Sequence, residues 1–310
     1  METFIRTHVI SPLTGKNNVE KIKSYNIVQI IEKWKLLYKI DVTDEFNSCI
    51  ETELTLYKCL DTELLFFEPK VEGTPFLYKE LQNNFFWYYL ESKWEYEVAL
   101  NEISNIDKCI EIGCGSGTFV KKALELDKRI IGIETSKDAV EKAAKNNLPV
   151  YLMDINEALK YLKGKPDAIL AFQVLEHISD PLSFLTSLIN NLNNDGKLIL
   201  CVPNANCFYK YEDDLLDMPP HHQTRWSLET FQSLQNILPI KLIDVKYEPL
   251  SHLHINSWIN ANSNHYRRTK WYGRLLFNKI SIPIINKLLH TKARSLLRGH
   301  TIYVSFIKTN

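Results

Sequence analysis

The stretch that decides the fold is "CIEIGCGSGTFV", residues 109–120, which runs from an apolar segment through three closely spaced glycines into a helical pattern. The apolar segment carries one acid, Glu111, and Gly113, Gly115 and Gly117 follow it. Glycine lets the backbone adopt left-handed conformations and lets a ligand approach closely. The stretch therefore predicts a strand, a tight turn and the start of a helix, with a ligand held at the turn.

The spacing of these glycines argues against a dinucleotide site. A dinucleotide fingerprint has the form G-x-G-x-x-G, and Thr118 stands where its last glycine would be. Glu111, two residues before the first glycine, would also repel a pyrophosphate. A carboxylate there suits an ammonium group, because such a charge-assisted hydrogen bond contributes about 1.5–3 kcal/mol.

Around this turn, short apolar runs alternate with amphipathic stretches from about residue 106 onward. Such alternation is typical of βαβ units around a parallel sheet. The predicted strands are 108–112, 129–134, 149–154, 168–173, 197–202, 241–248 and 300–308. The predicted helices between them are 119–126, 136–147, 155–163, 180–192 and 227–237. The expected fold class is therefore α/β, a Rossmann-like, doubly wound and mostly parallel seven-stranded sheet.

Polar residues at the ends of the next strands extend the predicted site. Glu134, followed by Thr135, ends the second core strand, where a carboxylate can take both hydroxyls of a ribose. Asp154 and Ile155 end the third strand and offer an acid and an aliphatic surface, which suit an adenine. The fourth strand ends in "AFQVLEHISDP", residues 171–181, and turns into a helix that Ser179 or Asp180 caps ahead of a proline.

Together these features resemble the class I S-adenosylmethionine-dependent methyltransferases over roughly residues 85–248 and the final strand. The resemblance implies S-adenosyl-L-methionine as cofactor and S-adenosyl-L-homocysteine as product. In that family the acid and glycine turn holds the methionine part, the next two acids hold ribose and adenine, and the fourth strand end closes over the cofactor. The cofactor-binding residues implied here are Glu111, Gly113, Gly115, Gly117, Glu134, Thr135, Asp154, Ile155, Gln173 and Leu175. A Rossmann-like domain for another nucleotide, or for none, is the alternative.

The chain divides into an accessory region over residues 1–77 and a methyltransferase domain over 78–310. An aromatic helix is predicted over 78–103, leading into the first core strand. A mostly helical cap insert, 250–299, precedes the last strand and is expected to lie above the carboxyl ends of the strands, where open α/β sheets bind ligands.

The accessory region resembles a zinc ribbon that has lost its ligands. Small-molecule and sugar methyltransferases similar to this chain often begin with C-P-x-C-G followed by a second C-x-x-C. Here Ser11, Thr14 and Thr62 stand at thiolate positions and only Cys59 remains, which will not hold zinc. The resemblance implies a metal-free ribbon-like region, and a chance match of "SPLTG" is the alternative.

The stretch "PPHHQTRWS", residues 219–227, supplies the candidate catalytic groups. If the methyl acceptor is a hydroxyl, its proton must leave, and a histidine with a pKa of about 6.5 suits that task. His221 or His222 is the predicted base, with Arg225 binding an anionic group or ordering the loop. A similar His-His-x-Thr-Arg-Trp-Ser run occurs in relatives among the small-molecule enzymes. The alternative is that the histidines cap and pack while Arg225 pairs with a local carboxylate.

Other histidines compete for this role. His177 directly follows the fourth strand and is a rival base, although it could equally bond to backbone near the cofactor. A metal site is disfavoured and no metal is expected, because adjacent His221 and His222 point opposite ways in an extended segment. His252 and His254 are predicted to line the substrate pocket from the insert.

Charge and composition bound the partners. The net charge is zero, yet residues 249–310 carry ten Lys and Arg with no Asp or Glu, which favours an anionic partner. A solvated helical face is the alternative, as is peripheral contact of 271–289 with a membrane, a helix that Pro283 would interrupt. Nucleic acid is less favoured, since the charges alternate with Leu and Ile and no Asn/Asp-Pro-Pro-aromatic signature occurs. Scattered cysteines and the lack of a secretory leader pattern suggest the cytoplasm.

The sequence thus predicts an S-adenosylmethionine-dependent O-methyltransferase that acts on a small polar substrate. An anionic or sugar-derived molecule in carbohydrate or natural-product biosynthesis would account for the basic insert. The rivals are N- or C-methylation of a small metabolite and a non-catalytic scaffold that binds the cofactor.

Overall fold

The computed structural model describes residues 9–85, 88, 90–106, 108–155, 157–158 and 164–309. The strands among them are β1 (Val19–Asn26), β2 (Glu53–Cys59), β3 (Leu65–Glu68), β4 (Lys108–Ile112), β5 (Arg129–Glu134), β6 (Val150–Leu152), β7 (Ala168–Phe172), β8 (Lys197–Pro203), β9 (Thr224–Arg225), β10 (Ile240–Pro249) and β11 (Arg298–Lys308). The helices are α1 (Ile27–Leu37), α2 (Thr43–Phe46), α3 (Pro75–Asn84), α4 (Trp94–Glu102), α5 (Thr118–Leu124), α6 (Lys137–Lys145), α7 (Pro181–Asn190), α8 (Leu228–Ser233), α9 (Ile255–Thr269), α10 (Gly273–Leu276) and α11 (Ser281–Leu289).

Seven strands form one large sheet in the order β10-β11-β8-β7-β4-β5-β6. The five from β4 to β8 are parallel, whereas β11 runs antiparallel to both β8 and β10. The strand order reverses at β4, so the loops after β4 and β7 open a crevice at the carboxyl edge. The predicted α/β, Rossmann-like seven-stranded sheet is confirmed, and only β6 is much shorter than the predicted 149–154.

Helix starts follow the local capping chemistry of the sequence. The Asp180 side chain accepts a hydrogen bond from the Ser183 amide at 3.1 Å, and Pro181 occupies the first turn of α7. The Ser227 hydroxyl caps α8 by accepting from the Thr230 amide at 3.3 Å. Both caps satisfy amides that the first helical turn leaves unpaired. Of the two caps expected for α7, Ser179 or Asp180, the structure has Asp180.

The aromatic helix predicted over 78–103 is wrong, because the chain forms two separate helices there. α3 ends before Phe85, whose backbone is extended, and α4 begins nine residues later. Each half packs on a different core: Leu77 and Leu81 join the N-terminal cluster, whereas Tyr96 and Ala99 join the cluster behind the large sheet. Tyr89 in this connection, like most of the helix predicted over 155–163, lies outside the described residues.

The N-terminal region packs directly on the large domain. A four-stranded sheet has the order β1-β2-β3-β9, so its last strand comes from the histidine stretch. Leu13, Cys59, Leu64 and Phe66 belong to the same buried cluster as residues of the large sheet. The two parts of the chain therefore share a core.

The ribbon-like positions do come together without thiolates. Ser11 and Thr62 are buried beside Cys59, and their hydroxyls hydrogen-bond its thiol. Burial raises the pKa of the Cys59 thiol, and the bonds from Ser11, Thr62 and the backbone outweigh it, so the pKa lies below its ordinary value. The Leu13 and Leu64 amides donate to the Ser11 and Thr62 hydroxyls at 3.3 and 3.4 Å. All six cysteines of the chain are free thiols.

The insert 250–299 is helical, as predicted, and lies between β10 and β11. The helix expected over 271–289 is instead two helices, α10 and α11. Pro283 lies in the first turn of α11, where backbone amides have no partner within the helix, so the missing N–H of proline breaks no helical hydrogen bond. Across the part of the chain that the structure describes, none of the helices combines the length and apolarity required to cross a bilayer.

Candidate active site

The glycine turn after β4 has the backbone that its sequence predicts. Gly113, Gly115 and Gly117 have φ of +64°, +56° and +82°, in the left-handed region that favours glycine. A Cβ on Gly113 would lie 2.6 Å from Cγ2 of Val174, the residue that follows Gln173 at the end of β7. The turn therefore packs tightly against the adjoining strand end.

Glu134 fixes this turn from the end of β5. Its carboxylate accepts from the Gly115 amide at 2.8 Å, from the Thr135 amide at 2.7 Å and from the Ser136 amide at 2.9 Å. The side chain is partly exposed, both of its oxygens accept these amides, and it does not line the cavity described below. The residue predicted to bind ribose thus also orders the loop that would bind the rest of the cofactor.

Glu111 is the clearest mark of an ammonium site. Its side chain is 2% exposed, and its Oε2 has no hydrogen-bond partner among the described residues. Burial raises the pKa of Glu111 well above its ordinary value, a shift that Lys93 partly opposes. A buried carboxylate with an unpartnered oxygen is costly unless a ligand donor completes it. The amino group of S-adenosylmethionine is such a donor, so these residues fit the cofactor.

Of the other predicted cofactor residues, one lines the cavity beside the turn and two lie in the core. Gln173 lines the cavity beside the turn with φ of +56°, and its amide lies 3.5 Å from Oε1 of Glu95. Asp154 accepts from the Glu157 amide at 3.0 Å, which starts a helical turn after β6. Ile155 and Leu175 are buried in the core, and neither lines the cavity formed by the described residues.

Three histidines meet opposite the glycine turn. The rings of His221 and His222 stack with centroids 4.3 Å apart and an interplanar angle of 23°. The His177 ring lies 4.8 Å from each and nearly perpendicular to both. The expectation that the adjacent histidines point opposite ways is wrong, because both amides bond to the Met218 carbonyl in a turn and the segment is not extended.

In this three-histidine cluster, His177, His221 and His222, the last two rings are buried and that of His177 is half-buried, and all three are neutral at ordinary pH. Burial lowers the pKa of His177 to about 4. Burial, and then the neighbouring histidines, lower the pKa values of His221 and His222 well below the usual value. An ordinary pKa near neutrality, the reason for predicting a free histidine base, therefore does not hold here.

Each ring of the cluster is anchored through Nδ1. His177 Nδ1 lies 2.6 Å from the His221 carbonyl oxygen, and His221 Nδ1 lies 2.7 Å from the Leu216 carbonyl oxygen. His222 Nδ1 lies 3.2 Å from Oδ1 of Asp217. Because all three partners are acceptors, each Nδ1 carries the proton and each Nε2 keeps its lone pair.

The predicted substrate residues divide into two groups. His252 and His254 line the cavity: His252 Nε2 accepts from Arg294 at 2.9 Å, and His254 Nδ1 is buried without a partner among the described residues. Arg225 lies outside the cavity lining; its Nε donates to the Asp217 carboxylate at 2.9 Å, and its guanidinium lies over Phe67. This geometry favours the loop-ordering role of Arg225 over anion binding.

One cavity of about 1060 Å³ joins these groups. Its lining includes Glu111, Gly113 and Gly115 of the glycine turn together with the three-histidine cluster. Its lining contains eight carboxylate side chains against one lysine and one arginine, a balance that does not favour an anionic ligand.

Sequence reasoning missed two functional candidates in this cavity. Glu176 is 2% exposed with an unpartnered Oε2, and burial raises its pKa to about 8. His300, on β11, has its pKa lowered to about 4 by burial. Glu176 had a sequence signal, since it stands beside His177 in the fourth strand end, whereas His300 reaches the site only through sheet order.

Comparison with known proteins gives a family match. The model of a family described as "Methyltransferase domain" matches residues 79–244, more than half of the chain. A tRNA U34 carboxymethyltransferase of Campylobacter fetus is 26% identical over 210 residues, which are 61% of this chain and 69% of that protein. A mitochondrial ubiquinone biosynthesis O-methyltransferase of Schizosaccharomyces pombe is 30% identical over 104 residues, 30% of this chain and 36% of that protein.

Two solved structures show a partial likeness to this chain. A SAM-dependent methyltransferase from Archaeoglobus fulgidus aligns with a TM-score of 0.42 and 20% identity, covering 69% of this chain and 94% of that one. The plantazolicin methyltransferase BamL in complex with SAH aligns with a TM-score of 0.47 and 14% identity, covering 76% and 89%.

Proposed function

Because the chain belongs to the methyltransferase-domain family and is an S-adenosylmethionine-dependent methyltransferase, we propose that it methylates a hydroxyl of a small polar acceptor. One observation carries this proposal: the partnerless Glu111 oxygen and the three-histidine cluster face one cavity. The Glu111 oxygen would bind the ammonium group of the cofactor. The histidine cluster would offer nitrogen lone pairs to the proton that leaves the hydroxyl of the methyl acceptor.

S-adenosylmethionine supplies a methyl group on a sulfonium, whose leaving group is a neutral thioether. Such a reaction needs the acceptor oxygen held in line at near-attack distance more than it needs strong acid–base chemistry. Glu111 and the amides of the glycine turn hold the cofactor side, and Glu134 takes the ribose. Gln173, at the end of β7, lines the cavity between the two halves of the site.

The histidine cluster receives the hydroxyl in this proposal. As the new bond to the acceptor oxygen forms, the hydroxyl proton passes to an Nε2 lone pair, and His222 is the assigned group. Its Nδ1 bond to Asp217 keeps the tautomer with Nε2 unprotonated and would stabilise the imidazolium that results. The lowered pKa of His222 keeps the ring neutral and therefore able to accept a proton, but it also makes the ring a weak base.

The charge of the cavity constrains the acceptor. With the carboxylates in excess, we propose a neutral, hydroxyl-rich molecule such as a sugar-derived or phenolic one, rather than a strongly anionic one. Arg294, bonded to His252 and to the Leu250 carbonyl, is the cation of the insert that lines the cavity. A tRNA acceptor is the second candidate, favoured by the similarity to the Campylobacter protein and by the basic insert.

The test begins with S-adenosylhomocysteine titrated calorimetrically into the wild type and into Glu111→Gln, with His222→Asn as the control on the acceptor side. We expect micromolar binding that weakens in Glu111→Gln and persists in His222→Asn. Tritiated S-adenosylmethionine is then supplied with sugars, catechols or bulk tRNA. Label on a hydroxyl of a small acceptor supports the proposal, label in tRNA selects the second candidate, and no binding to the wild type refutes both.

A further inference from the structure

The three-histidine cluster has the organisation of a metal centre as well as that of a base. One ring nitrogen from each of His177, His221 and His222 lies within 4.8 Å of the others, and this is the one such group of potential ligands found among the described residues. Ligating histidines nearly always donate their second ring N–H to a carbonyl or a carboxylate, which fixes the tautomer and the ring orientation. All three histidines here do so, two to carbonyls and one to Asp217.

We propose that His177, His221 and His222 bind one divalent transition-metal ion, of the Zn²⁺ class, through Nε2. Three neutral imidazoles with one open position are the ligand set of catalytic zinc sites. Because the rings line the cavity, the open position faces the place proposed for the acceptor. This inference rests on the proposed methyl transfer to a hydroxyl and gives His222 a different part in it: with its Nε2 bound to the ion, the ion rather than His222 would activate the hydroxyl.

The geometry requires only a small closure of the rings. Bonds of about 2.0–2.1 Å in a tetrahedral site put ligand nitrogens about 3.3 Å apart, against the 4.8 Å within which they now lie. The Tyr88 hydroxyl is 3.1 Å from His221 Nε2 and would give up that place to the ion.

The surroundings suit a cation. Glu176 Oε1 lies 4.0 Å from His177 Nε2, and its Oε2 has no partner among the described residues. Asp217 adds a second carboxylate behind His222. A bound ion would lower the pKa of a coordinated hydroxyl, as it does for water. Its positive charge would also favour the ionised form of Glu176, which would then accept the released proton. The weak basicity of buried imidazoles is then no obstacle, since a metal ligand has to be neutral.

Cobalt provides a readout that does not depend on the acceptor. The purified protein is stripped with a chelator, dialysed and titrated with Co²⁺ while its visible absorption is recorded. We expect one Co²⁺ per chain with the intense bands of a tetrahedral site, displaced by Zn²⁺. His177→Ala and His222→Gln should abolish stoichiometric binding, whereas His254→Ala, a matched buried histidine of the same cavity, should keep it. Asp217→Asn should weaken Co²⁺ binding about 10–100-fold.

The outcomes separate this inference from the proposed function. S-adenosylhomocysteine binding in each variant shows that the fold and the cofactor site are intact. Absence of stoichiometric Co²⁺ in a wild type that binds S-adenosylhomocysteine overturns the metal centre and leaves the proposed function standing. Co²⁺ binding that survives both cluster substitutions equally overturns it. Co²⁺ binding without any methylated hydroxyl product supports the site while the proposed function fails.

A second, independent observation concerns the outer face of the insert. Aliphatic and aromatic side chains stand exposed along it: Trp271 (84%), Leu275 (68%), Leu276 (51%), Ile280 (77%), Ile284 (63%) and Leu288 (55%). Arg274, Lys279 and Lys287 alternate with them, and no acid follows Glu248 in the chain. Exposed apolar surface of this kind marks an interaction site.

We infer that this insert face, residues 271–288, docks on an anionic lipid surface. Cations beside inserted apolar side chains are what interfacial segments use on such membranes. Five of the six side chains are Leu or Ile, which cannot stack on bases as Trp271 could, so the surface as a whole suits acyl chains better than RNA. The preceding part of the insert lines the cavity, which would place the active site close to the membrane.

Sedimentation with lipid vesicles tests this docking. We expect the wild type to pellet with phosphatidylglycerol-containing vesicles and far less with pure phosphatidylcholine. Leu275→Ser combined with Ile280→Ser should reduce pelleting several-fold, whereas Leu36→Ser, an equally exposed leucine on α1, should not. If the wild type does not pellet, or if the double variant pellets as well as the wild type, the inference is wrong. If the protein binds tRNA and the double substitution does not change that binding, the basic residues of the insert serve nucleic acid instead.

Discussion

Replacing Gly113 by alanine tests how the glycine turn is held against the end of β7. The left-handed backbone at φ +64° costs a non-glycine residue about 1–2 kcal/mol. The new Cβ would lie 2.6 Å from Val174 Cγ2, and valine is too short and too stiff at χ1 to swing away. Overpacking of this kind costs about 1–3 kcal/mol. The free energy of unfolding should therefore fall by about 2–5 kcal/mol, the sum of the two terms.

A double-substitution cycle separates the two terms. Val174→Ala removes the methyl that collides, so Gly113→Ala should cost only its backbone part in that background. Urea unfolding of the four proteins should give a favourable coupling of about 1–3 kcal/mol. S-adenosylhomocysteine titration should show weaker binding in Gly113→Ala, partly restored in the double variant, because the turn carries the Gly115 amide. Additive unfolding energies, or a neutral Gly113→Ala, would refute the packing argument.

Three further predictions concern titratable groups of the site. The pKa of Glu111 is raised, and the carboxyl must ionise to bind an ammonium group, so cofactor binding near neutral pH should release a proton. Calorimetry should detect this proton as a binding heat that depends on the buffer. The variant Glu111→Gln should bind the cofactor more weakly and show no buffer dependence. Glu134→Ala leaves three amides unbonded and should lose cofactor binding and lower the melting temperature, while Glu134→Gln, which keeps an acceptor, should retain more of both. The pKa of His177 is about 4 in the folded protein and 6.5 in the unfolded chain, so between pH 4 and 6.5 the unfolded chain binds more protons than the folded protein. The free energy of unfolding should therefore fall as the pH is lowered from 6.5 to 4. Urea unfolding of His177→Asn should therefore depend less on pH in that window than the wild type.

The parts of the fold that the sequence predicts well are those that local patterns determine. β4 and β5 begin and end where their apolar runs do, because a fully buried parallel strand is a continuous hydrophobic run between turn residues. The glycine turn and the acids Glu111 and Glu134 are tied to strand ends, and parallel strands bring their carboxyl ends to one edge. Sequence spacing alone therefore predicts that the glycine turn, Glu111 and Glu134 lie together at this edge of the sheet.

The acceptor side depends on packing that spacing does not reveal. An extended segment would separate the rings of His221 and His222, but a turn on the Met218 carbonyl stacks them, and His177 joins them from another strand end. Burial then changes the chemistry of these rings, since a solvated imidazole and a desolvated one differ in pKa. The aromatic stretch fails for a similar reason: its two halves serve different cores, which no local pattern distinguishes.

The N-terminal region is joined to this site by strand pairing and by side-chain hydrogen bonds. β3 pairs with β9, with Phe66 opposite Thr224, directly after the histidines. Gln223 binds Val71 in both directions, its Oε1 accepting from the Val71 amide at 3.2 Å and its Nε2 donating to the Val71 carbonyl at 2.5 Å. The Gln223 amide donates in turn to the Glu176 carbonyl at 2.8 Å. The histidine stretch is thus bonded on one side to the four-stranded sheet and on the other to the end of β7. The four-stranded sheet therefore helps to fix the positions of His221 and His222 through these backbone and amide hydrogen bonds.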